Sequence, residues 1–214
     1  MAAFKNQHFV PKVHLRNFSD NGSSINIFNI LRSSHIPQAS IKGQCSKNFF
    51  YGTDLILEKA YHLPEHLLGR CNEFIRTHGY ISRKLSDDLK FYTFVQFLRT
   101  ESYVTHMRKM QNLLTTALTD DPRHNGEFNI PAESNESILK SGYLMALEFS
   151  QFIDLFNYCL IKAGKFGEFF TSDNPAFRSN IYAQMKRKDQ STGIFNAGSV
   201  FQFPISSEYV FLMY

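Results

Sequence analysis

The stretch "SDDLKFYTFVQFLRT", residues 86–100, has the clearest helical pattern in the chain. Apolar side chains recur at spacings of three and four residues after Ser86, which is a suitable N-cap residue. Two aspartates follow in the first turn, where carboxylates complement the helix dipole. Because the pattern continues to about Leu118, the sequence predicts one long helix that passes through Arg99.

Two further apolar patterns extend this helical region over residues 54–164. The first is interrupted by Pro64, which predicts a break there. The second covers residues 136–163 and is apolar on several faces, which is typical of a buried central helix. Gly164 follows it and is a suitable C-cap residue.

Two polar segments interrupt the apolar patterns of the chain. Residues 119–137, with Pro122 and Gly126, predict a surface loop. The run "MKRKDQ", residues 185–190, is basic and is either a solvated loop or a nucleic-acid contact.

The flanking thirds, residues 1–53 and 165–214, have the pattern of strands and turns. In "SINIFNI", residues 24–30, the apolar alternation slips in its second half. Segments 38–52, 168–177 and 199–214 also predict strands. The chain is therefore expected to form a single α+β domain, residues 1–214, in which a small, mainly antiparallel sheet from the two flanking thirds packs against the helices.

The last segment, "SSEYVFLMY", stops within an apolar strand. An exposed apolar edge favours pairing with another chain. The expectation is either that a partner protein or a second copy of the chain covers this edge, or that the chain is a shortened form of a longer one.

The composition narrows the class of protein but not its chemistry. With 214 residues, 43% hydrophobic and 20% charged, the chain fits one ordinary globular domain. A net charge of +4 allows a nucleic-acid partner without requiring one. No apolar run reaches the roughly 20 residues of a membrane span, so a cytoplasmic protein is expected.

Common cofactor and metal motifs are absent from the sequence. The three cysteines are far apart and form no C-x-x-C pair, which argues against a disulfide framework or a zinc knuckle. There is no P-loop, dinucleotide-binding turn, H-E-x-x-H helix or G-x-S-x-G elbow. The sequence therefore identifies no cofactor.

Five segments carry a family resemblance: in chain order, "QHFVPKVHLRNFSDNG", "KNFFYG", "QFLRT", "FFTSDNP" and "FQFPISSEYVFLM". Together they resemble the DUF4238 family of bacterial and phage proteins. The first matches a His-x-x-Pro-x-x-x-Leu-x-x-Phe pattern at His8, Pro11, Leu15 and Phe18. The chain departs from the family at "RTE", where relatives have Arg-Thr-Pro, and relatives continue beyond the last segment. The resemblance implies a shared fold and shared polar positions, and it supplies no reaction.

Arg99 and Gln96 lie three residues apart and so share one face of the predicted helix. A buried arginine requires a partner, and Asp173 is the expected one. The pair is either a structural ion pair or part of a site for phosphate or carboxylate. His8 either bonds a backbone carbonyl or moves a proton near neutral pH.

The motif that contains Ser172, Asp173 and Asn174 also has two interpretations. Short polar side chains of this kind form turns and caps. They also build sites where core strands end, in which Asp173 could act as a base or metal ligand and Asn174 could hold an oxyanion.

Arg99 and His106 are seven residues apart, which resembles the Arg-x(4–6)-His motif of the HEPN ribonucleases. The resemblance implies that the arginine and histidine of two protomers meet and cleave RNA without a metal. About one match of this spacing is expected by chance, so the spacing alone adds little.

The leading hypothesis is a nuclease-type effector that acts on RNA in a phage-defence or toxin setting. His8 and Asp173 would share proton transfer and Arg99 would stabilise the phosphoryl charge, while Gln96, Ser172, Asn174 and His106 would bind substrate. The competing hypothesis is a non-catalytic binding or regulatory subunit, whose C-terminal strand pairs with a partner protein.

Overall fold

The chain alternates short strands with a central group of helices in a computed structural model that describes residues 5–121, 131–185 and 193–214. The helices are α1 (Lys12–Leu15), α2 (Ile56–His78), α3 (Arg83–Phe97), α4 (Glu101–Thr119), α5 (Asn135–Phe149) and α6 (Ile181–Met185). The strands are β1 (Asn6–His8), β2 (Ser24–Asn29), β3 (Ser34–Ser40), β4 (Ser46–Asn48), β5 (Tyr158–Lys162), β6 (Phe177–Asn180), β7 (Ser199–Pro204) and β8 (Tyr209–Met213). The predicted α+β class is confirmed. Pro122 and Gly126 of the predicted loop, and all but the first residue of the basic run, lie outside the described residues.

All five ladders of the described residues are antiparallel, and they form three sheets. β1 pairs with β4, β2 pairs with β3, and the remaining strands form a sheet of order β5-β8-β7-β6. The flanking thirds therefore build separate sheets rather than sharing one. The register of β2 against β3 shifts between Ile25 and Ile27, which is earlier than the slip predicted in the second half of this segment.

The C-terminal strand has no open edge. β8 lies between β5 and β7 and pairs with both, for example Phe211 with Leu160 on one side and with Phe203 on the other. The prediction that a partner chain covers the edge of this strand is therefore wrong, because β5, an earlier segment of the same chain, pairs with that edge.

The most buried helix is α3. Nine of its fifteen residues are buried, including polar Thr93 and Gln96. Its N-cap is Ser82, whose hydroxyl accepts a hydrogen bond from the Leu85 amide, and not Ser86 as predicted. Ser86 instead donates to the Arg83 carbonyl inside the first turn.

The chain leaves the helix at Arg99. α3 ends at Phe97, and α4 begins at Glu101 with Thr100 as its N-cap, where the threonine hydroxyl accepts from the Tyr103 amide. The prediction of one helix through Arg99 is therefore wrong. The helical pattern misled because Thr100 can cap a new helix as readily as it can continue an old one.

α2 runs through Pro64 without stopping. Proline has no amide hydrogen, so the carbonyl of Ala60 loses its intrahelical partner. The hydroxyl of Tyr143 on α5 donates to that carbonyl at 3.1 Å. A side chain from a distant segment thus removes part of the free-energy cost of proline in a helix, which was the reason for predicting a break.

The predicted helix over residues 136–163 is about half as long as expected. α5 ends at Phe149, a 3-10 segment covers Ser150–Leu155, and β5 follows. A continuous apolar run does not by itself distinguish a buried helix from a strand. In the described parts of the chain, no helix is both long enough and apolar enough to cross a membrane.

The segment before the predicted TSDNP turn is not a strand. Residues 167–176 have no regular structure, and the side chain of Phe170 is 88% exposed. The predicted buried strand "EFF" is therefore wrong.

α5 crosses the α3–α4 junction in close contact at Gly142. A Cβ atom at this position would lie 2.9 Å from the Leu98 carbonyl oxygen and 2.9 Å from Tyr103 Cε1. The absence of a side chain at residue 142 thus allows α5 to approach the point where the chain turns after Arg99.

Gly142→Ala should destabilise the protein by about 1–3 kcal/mol, since the backbone oxygen of Leu98 cannot move aside cheaply. Gly69→Ala is the matched control within α2, where the added Cβ meets only Val13 at 3.8 Å. Alanine there should stabilise by about 0.5–1 kcal/mol through helix propensity. Urea unfolding of both variants measures the two changes in the free energy of unfolding. Changes of the same sign would contradict the close contact at Gly142.

Candidate functional site

Arg99 lies inside the protein, with 1% of its surface exposed. Its Nε donates to the Tyr51 hydroxyl at 3.0 Å, and its Nη2 donates to the His8 carbonyl at 2.9 Å and to Glu65 Oε1 at 2.8 Å. The guanidinium carbon also lies 4.2 Å from the ring centroid of Tyr61. We call this set, Arg99 with Tyr51, Tyr61, Glu65 and the His8 carbonyl, the Arg99 brace.

The partner of Arg99 is Glu65 and not Asp173. The Arg99–Glu65 ion pair joins α2 to the α3–α4 junction. Asp173 is exposed and interacts electrostatically with Cys45, whose pKa is raised to about 12 by burial and, secondarily, by this carboxylate. The predicted pairing is wrong because Glu65, from a segment without a recognisable motif, occupies that place.

The brace is assembled by the β1–β4 ladder. Gln7 on β1 accepts from the Tyr51 amide and donates to the Gly52 carbonyl, which holds the end of the "KNFFYG" segment beside β1. The Tyr51 hydroxyl then donates to the His8 carbonyl at 3.0 Å. The backbone of His8 is therefore held by two donors, while its side chain is not part of the brace.

The other polar residues singled out in the sequence mostly bond to one another or to backbone. Gln96 is fully buried, where it accepts from Tyr92 and donates to the Phe9 carbonyl. Thr100 donates to Asn174 Oδ1 at 2.9 Å, and Ser172 accepts from the Asn174 amide. The TSDNP segment is thus a turn tied to the α3–α4 junction, as the simpler interpretation predicted.

His106 does not share a helix with Arg99. It is exposed on α4, whereas Arg99 lies before the start of that helix and is buried. The structural premise of the Arg-x(6)-His interpretation, one continuous helix, is therefore wrong for this pair.

The imidazole of His8 is half-buried and hydrogen-bonds to the backbone. Its Nε2 lies 3.2 Å from the Lys42 carbonyl, which can only accept, so Nε2 carries the hydrogen. A second backbone hydrogen bond, to Ile41, also acts on the ring. Burial, followed by the charge of Lys12, lowers the pKa of His8 from its usual 6.5. With the hydrogen on Nε2, the lone pair of the neutral ring lies on Nδ1.

Two carboxyl groups on α2 belong to the charged surroundings of this histidine: Glu65 interacts with His8 itself, and Glu58 interacts with Glu65 and Lys12. Glu58 and Glu65 are seven residues apart and so share a helix face. Burial, reinforced by the charge of Glu65, raises the pKa of Glu58. The Glu65 side chain is 30% exposed. His8 and Glu58 both interact electrostatically with Lys12 and Glu65, so we call these four residues the His8 edge.

The His8 edge can supply a proton acceptor and a proton donor in one place. A neutral imidazole accepts a proton, and a carboxyl group with a raised pKa retains one to higher pH. Among the residues that the structure describes, no group of three or more His, Cys, Asp and Glu side chains is arranged to hold a metal ion.

A second histidine, His14, is sealed in the core. It is fully buried, stacks on Phe203 with centroids 4.9 Å apart, and shares a 2.8 Å hydrogen bond with Thr171 through Nε2. Its Nδ1 has no partner. Burial lowers the pKa of His14 to about 3.

Sequence reasoning missed Glu58, Glu65, Tyr51 and His14. The spacing of the two glutamates on one helix face and the tyrosine within the family-like "KNFFYG" segment were the available signals. Neither signal indicates which distant residues the glutamates or the tyrosine contact.

Comparison with known proteins gives one match. The model of a family described as "Protein of unknown function (DUF4238)" matches residues 6–214. No curated protein and no solved structure matches the chain.

Arg99→Met should lower the free energy of unfolding by about 3 kcal/mol, because it leaves Glu65 without its ion-pair partner and removes one of the two donors to the His8 carbonyl. Asp173→Asn, the control, should change it by less than about 0.5 kcal/mol, as for other exposed positions. Chemical denaturation at pH 7 measures both. A comparable loss from Asp173→Asn would contradict Glu65 as the partner of Arg99.

The stability of the protein should fall below pH 6.5 because of His14. The folded-state pKa of about 3 lies below the usual 6.5, so the unfolded chain takes up this proton first. The stabilisation is therefore complete above pH 6.5 and is lost as the pH falls towards 3. Between pH 6.5 and 5 the loss should be about 2 kcal/mol. In His14→Gln, urea titrations should show a weaker pH dependence, and an unchanged slope would contradict the assignment.

Proposed function

Because the chain belongs to the DUF4238 family, whose description names no activity, we propose a function from the site: cleavage of single-stranded RNA at the His8 edge. The observation that carries the proposal is a half-buried imidazole whose backbone is held by the Arg99 brace and whose Nε2 bonds the Lys42 carbonyl, so that the lone pair of the neutral ring lies on Nδ1. A positioned base of this kind is the first requirement of acid–base catalysis. The cytoplasmic toxin or phage-defence setting rests on the resemblance to bacterial and phage proteins.

RNA suits this site because it carries its own nucleophile, the 2′-hydroxyl. His8 Nδ1 accepts the hydroxyl proton, and the 2′-oxygen then attacks the adjacent phosphorus. The bond from phosphorus to the 5′-oxygen breaks, and the carboxyl group of Glu58 protonates that oxygen. The products are a 2′,3′-cyclic phosphate and a free 5′-hydroxyl. Lys12 is the nearby cation that stabilises the charge on the phosphoryl oxygens.

Arg99 has a different role from the one expected. Its Nε and Nη2 donate to Tyr51, His8 and Glu65, and its Nη1 is buried without a partner. The guanidinium is thus sealed from solvent, so it acts on the reaction through position rather than by contact with phosphate. It fixes the His8 backbone and Glu65. In this scheme Arg99 is a positioning residue and Asp173 takes no part in proton transfer.

An exposed aromatic ring next to the edge offers a surface for a base. Three aromatic residues follow β4: Phe50 and Tyr51 are buried, whereas Phe49 is 43% exposed and has a left-handed backbone, with φ of 53°. Lys5 Nζ lies 6.0 Å from the Phe49 ring centroid. The backbone amide of Phe49 donates to the Lys5 carbonyl. Because Lys5 is three residues before His8, the ring lies about 10 Å along the strand from the histidine. Stacking rings next to lysines are typical of single-strand binding.

The competing proposal remains a binding or regulatory subunit without chemistry. It is favoured by the internal use of Gln96, Arg99 and Asn174, which bond within the fold rather than facing a substrate. Its partner would dock on a surface other than β8.

His8→Gln should reduce RNA cleavage at least about 100-fold, the contribution of a positioned general base. Because the brace uses the backbone of His8, the melting temperature should stay the same. The assay uses a labelled single-stranded RNA of random sequence and a transfer-RNA pool. His106→Gln is the matched control and should retain full activity.

Phe49→Ala should weaken binding of the uncleaved strand to the His8→Gln protein by about 5- to 100-fold, the range for one lost stacking contact. Phe177→Ala, which removes another exposed ring on β6, should not. Absence of cleavage of both RNA substrates by the wild-type protein, or full activity of His8→Gln, would overturn the nuclease proposal and leave the binding subunit.

A further inference from the structure

A cavity of about 460 Å³ lies away from the His8 edge, between the segment after α1, the second half of α2 and the turn that joins β7 to β8. This volume is within the range of small-molecule sites. Its wall includes Arg16, Asn72, Arg76 and the turn residues 205–209. Asn72 is seven residues beyond Glu65 on α2, which separates the two sites by about 10 Å along the helix.

Asn72 contributes an amide group that the protein does not satisfy. Both its Nδ2 and its Oδ1 are buried and have no hydrogen-bond partner. Buried amides are almost always paired, so an unpaired one calls for a partner that the protein itself does not provide. The partner must offer a hydrogen-bond acceptor and a donor side by side.

The rim of the cavity carries an excess of positive charge. Arg16 and Arg76 are exposed and form no ion pair with the described residues. Of the two acidic residues in the wall, Glu208 lies 3.9 Å from Lys162, whereas Glu73 has no such partner. Two free arginines against one free glutamate favour an anion, and guanidinium forks match phosphate geometry.

The remaining wall is apolar. Val13, Ile75, Ile205 and Tyr209 line it, and they suit a flat ring rather than a second charged group. An anion-binding rim, an amide that needs both a donor and an acceptor, and an apolar wall are thus combined in one cavity.

We propose that this cavity binds a nucleoside monophosphate, with the phosphate on Arg16 and Arg76, the base edge on the amide of Asn72 and the ring against the apolar wall. The site shares no residue with the His8 edge. It therefore does not depend on the proposed RNA cleavage.

Isothermal titration calorimetry of the full chain with the four ribonucleoside 5′-monophosphates, inorganic phosphate and adenosine tests the proposal. At least one nucleotide should bind with a Kd below about 100 µM and at least about 10-fold more tightly than phosphate or adenosine. Arg16→Gln/Arg76→Gln should weaken that binding at least about 10-fold. Arg70→Gln, an exposed arginine of α2 outside the cavity, is the matched control and should bind as the wild type does.

Asn72→Leu separates ligand binding from folding. Leucine has a similar size and needs no hydrogen bonds, so the melting temperature should stay the same or rise while nucleotide binding is lost. Absence of binding by all four nucleotides would overturn the proposal. Phosphate binding as tight as nucleotide binding, or unchanged affinity in Asn72→Leu, would equally overturn it.

Discussion

The permanent positive charge of Arg99, held inside the core, is the constraint on which the rest of the structure depends. An arginine does not lose its proton in proteins, so its burial requires acceptors in fixed positions. These come from three separate segments: the His8 carbonyl on β1, the Tyr51 hydroxyl after β4 and Glu65 on α2. The N-terminal ladder and the helices are therefore held together at one side chain.

The position of Arg99 between two helices follows from the same constraint. A residue that must reach three segments is better placed where the backbone turns than along a regular helix face, and here α3 ends two residues earlier. The turn needs support of its own. Thr100 caps α4 and donates to Asn174, which attaches the TSDNP turn. Gly142 lets α5 approach the same point from the other side. The family-like segments thus meet around one corner of the fold.

The sequence predicted those features that depend on nearby residues. The α+β class and the strands within residues 199–214 follow from local periodicity, which is a property of consecutive side chains. Prediction from the sequence failed where a contact with a distant residue determines the local structure. Pro64 stays in a helix because Tyr143 satisfies Ala60, and Arg99 pairs with Glu65, which no motif marks. Segment 158–162 becomes a strand because β8 pairs with it, although its apolar run suited a helix equally well.

The brace also changes where chemistry should be sought. Residues that a family-like motif brings together need not be the residues that react, since Gln96, Arg99 and Asn174 use their polar atoms inside the fold. Arg99 and Tyr51 hold the backbone of His8, whose side chain stays half-buried, and Glu58, a carboxyl group of raised pKa, shares the charged neighbours Lys12 and Glu65 with it. A rigid backbone beneath an imidazole favours acid–base catalysis, because the cost of orienting the base is met during folding. The family-like motifs therefore form an internal support, and chemistry should be sought among the partly exposed neighbours of that support.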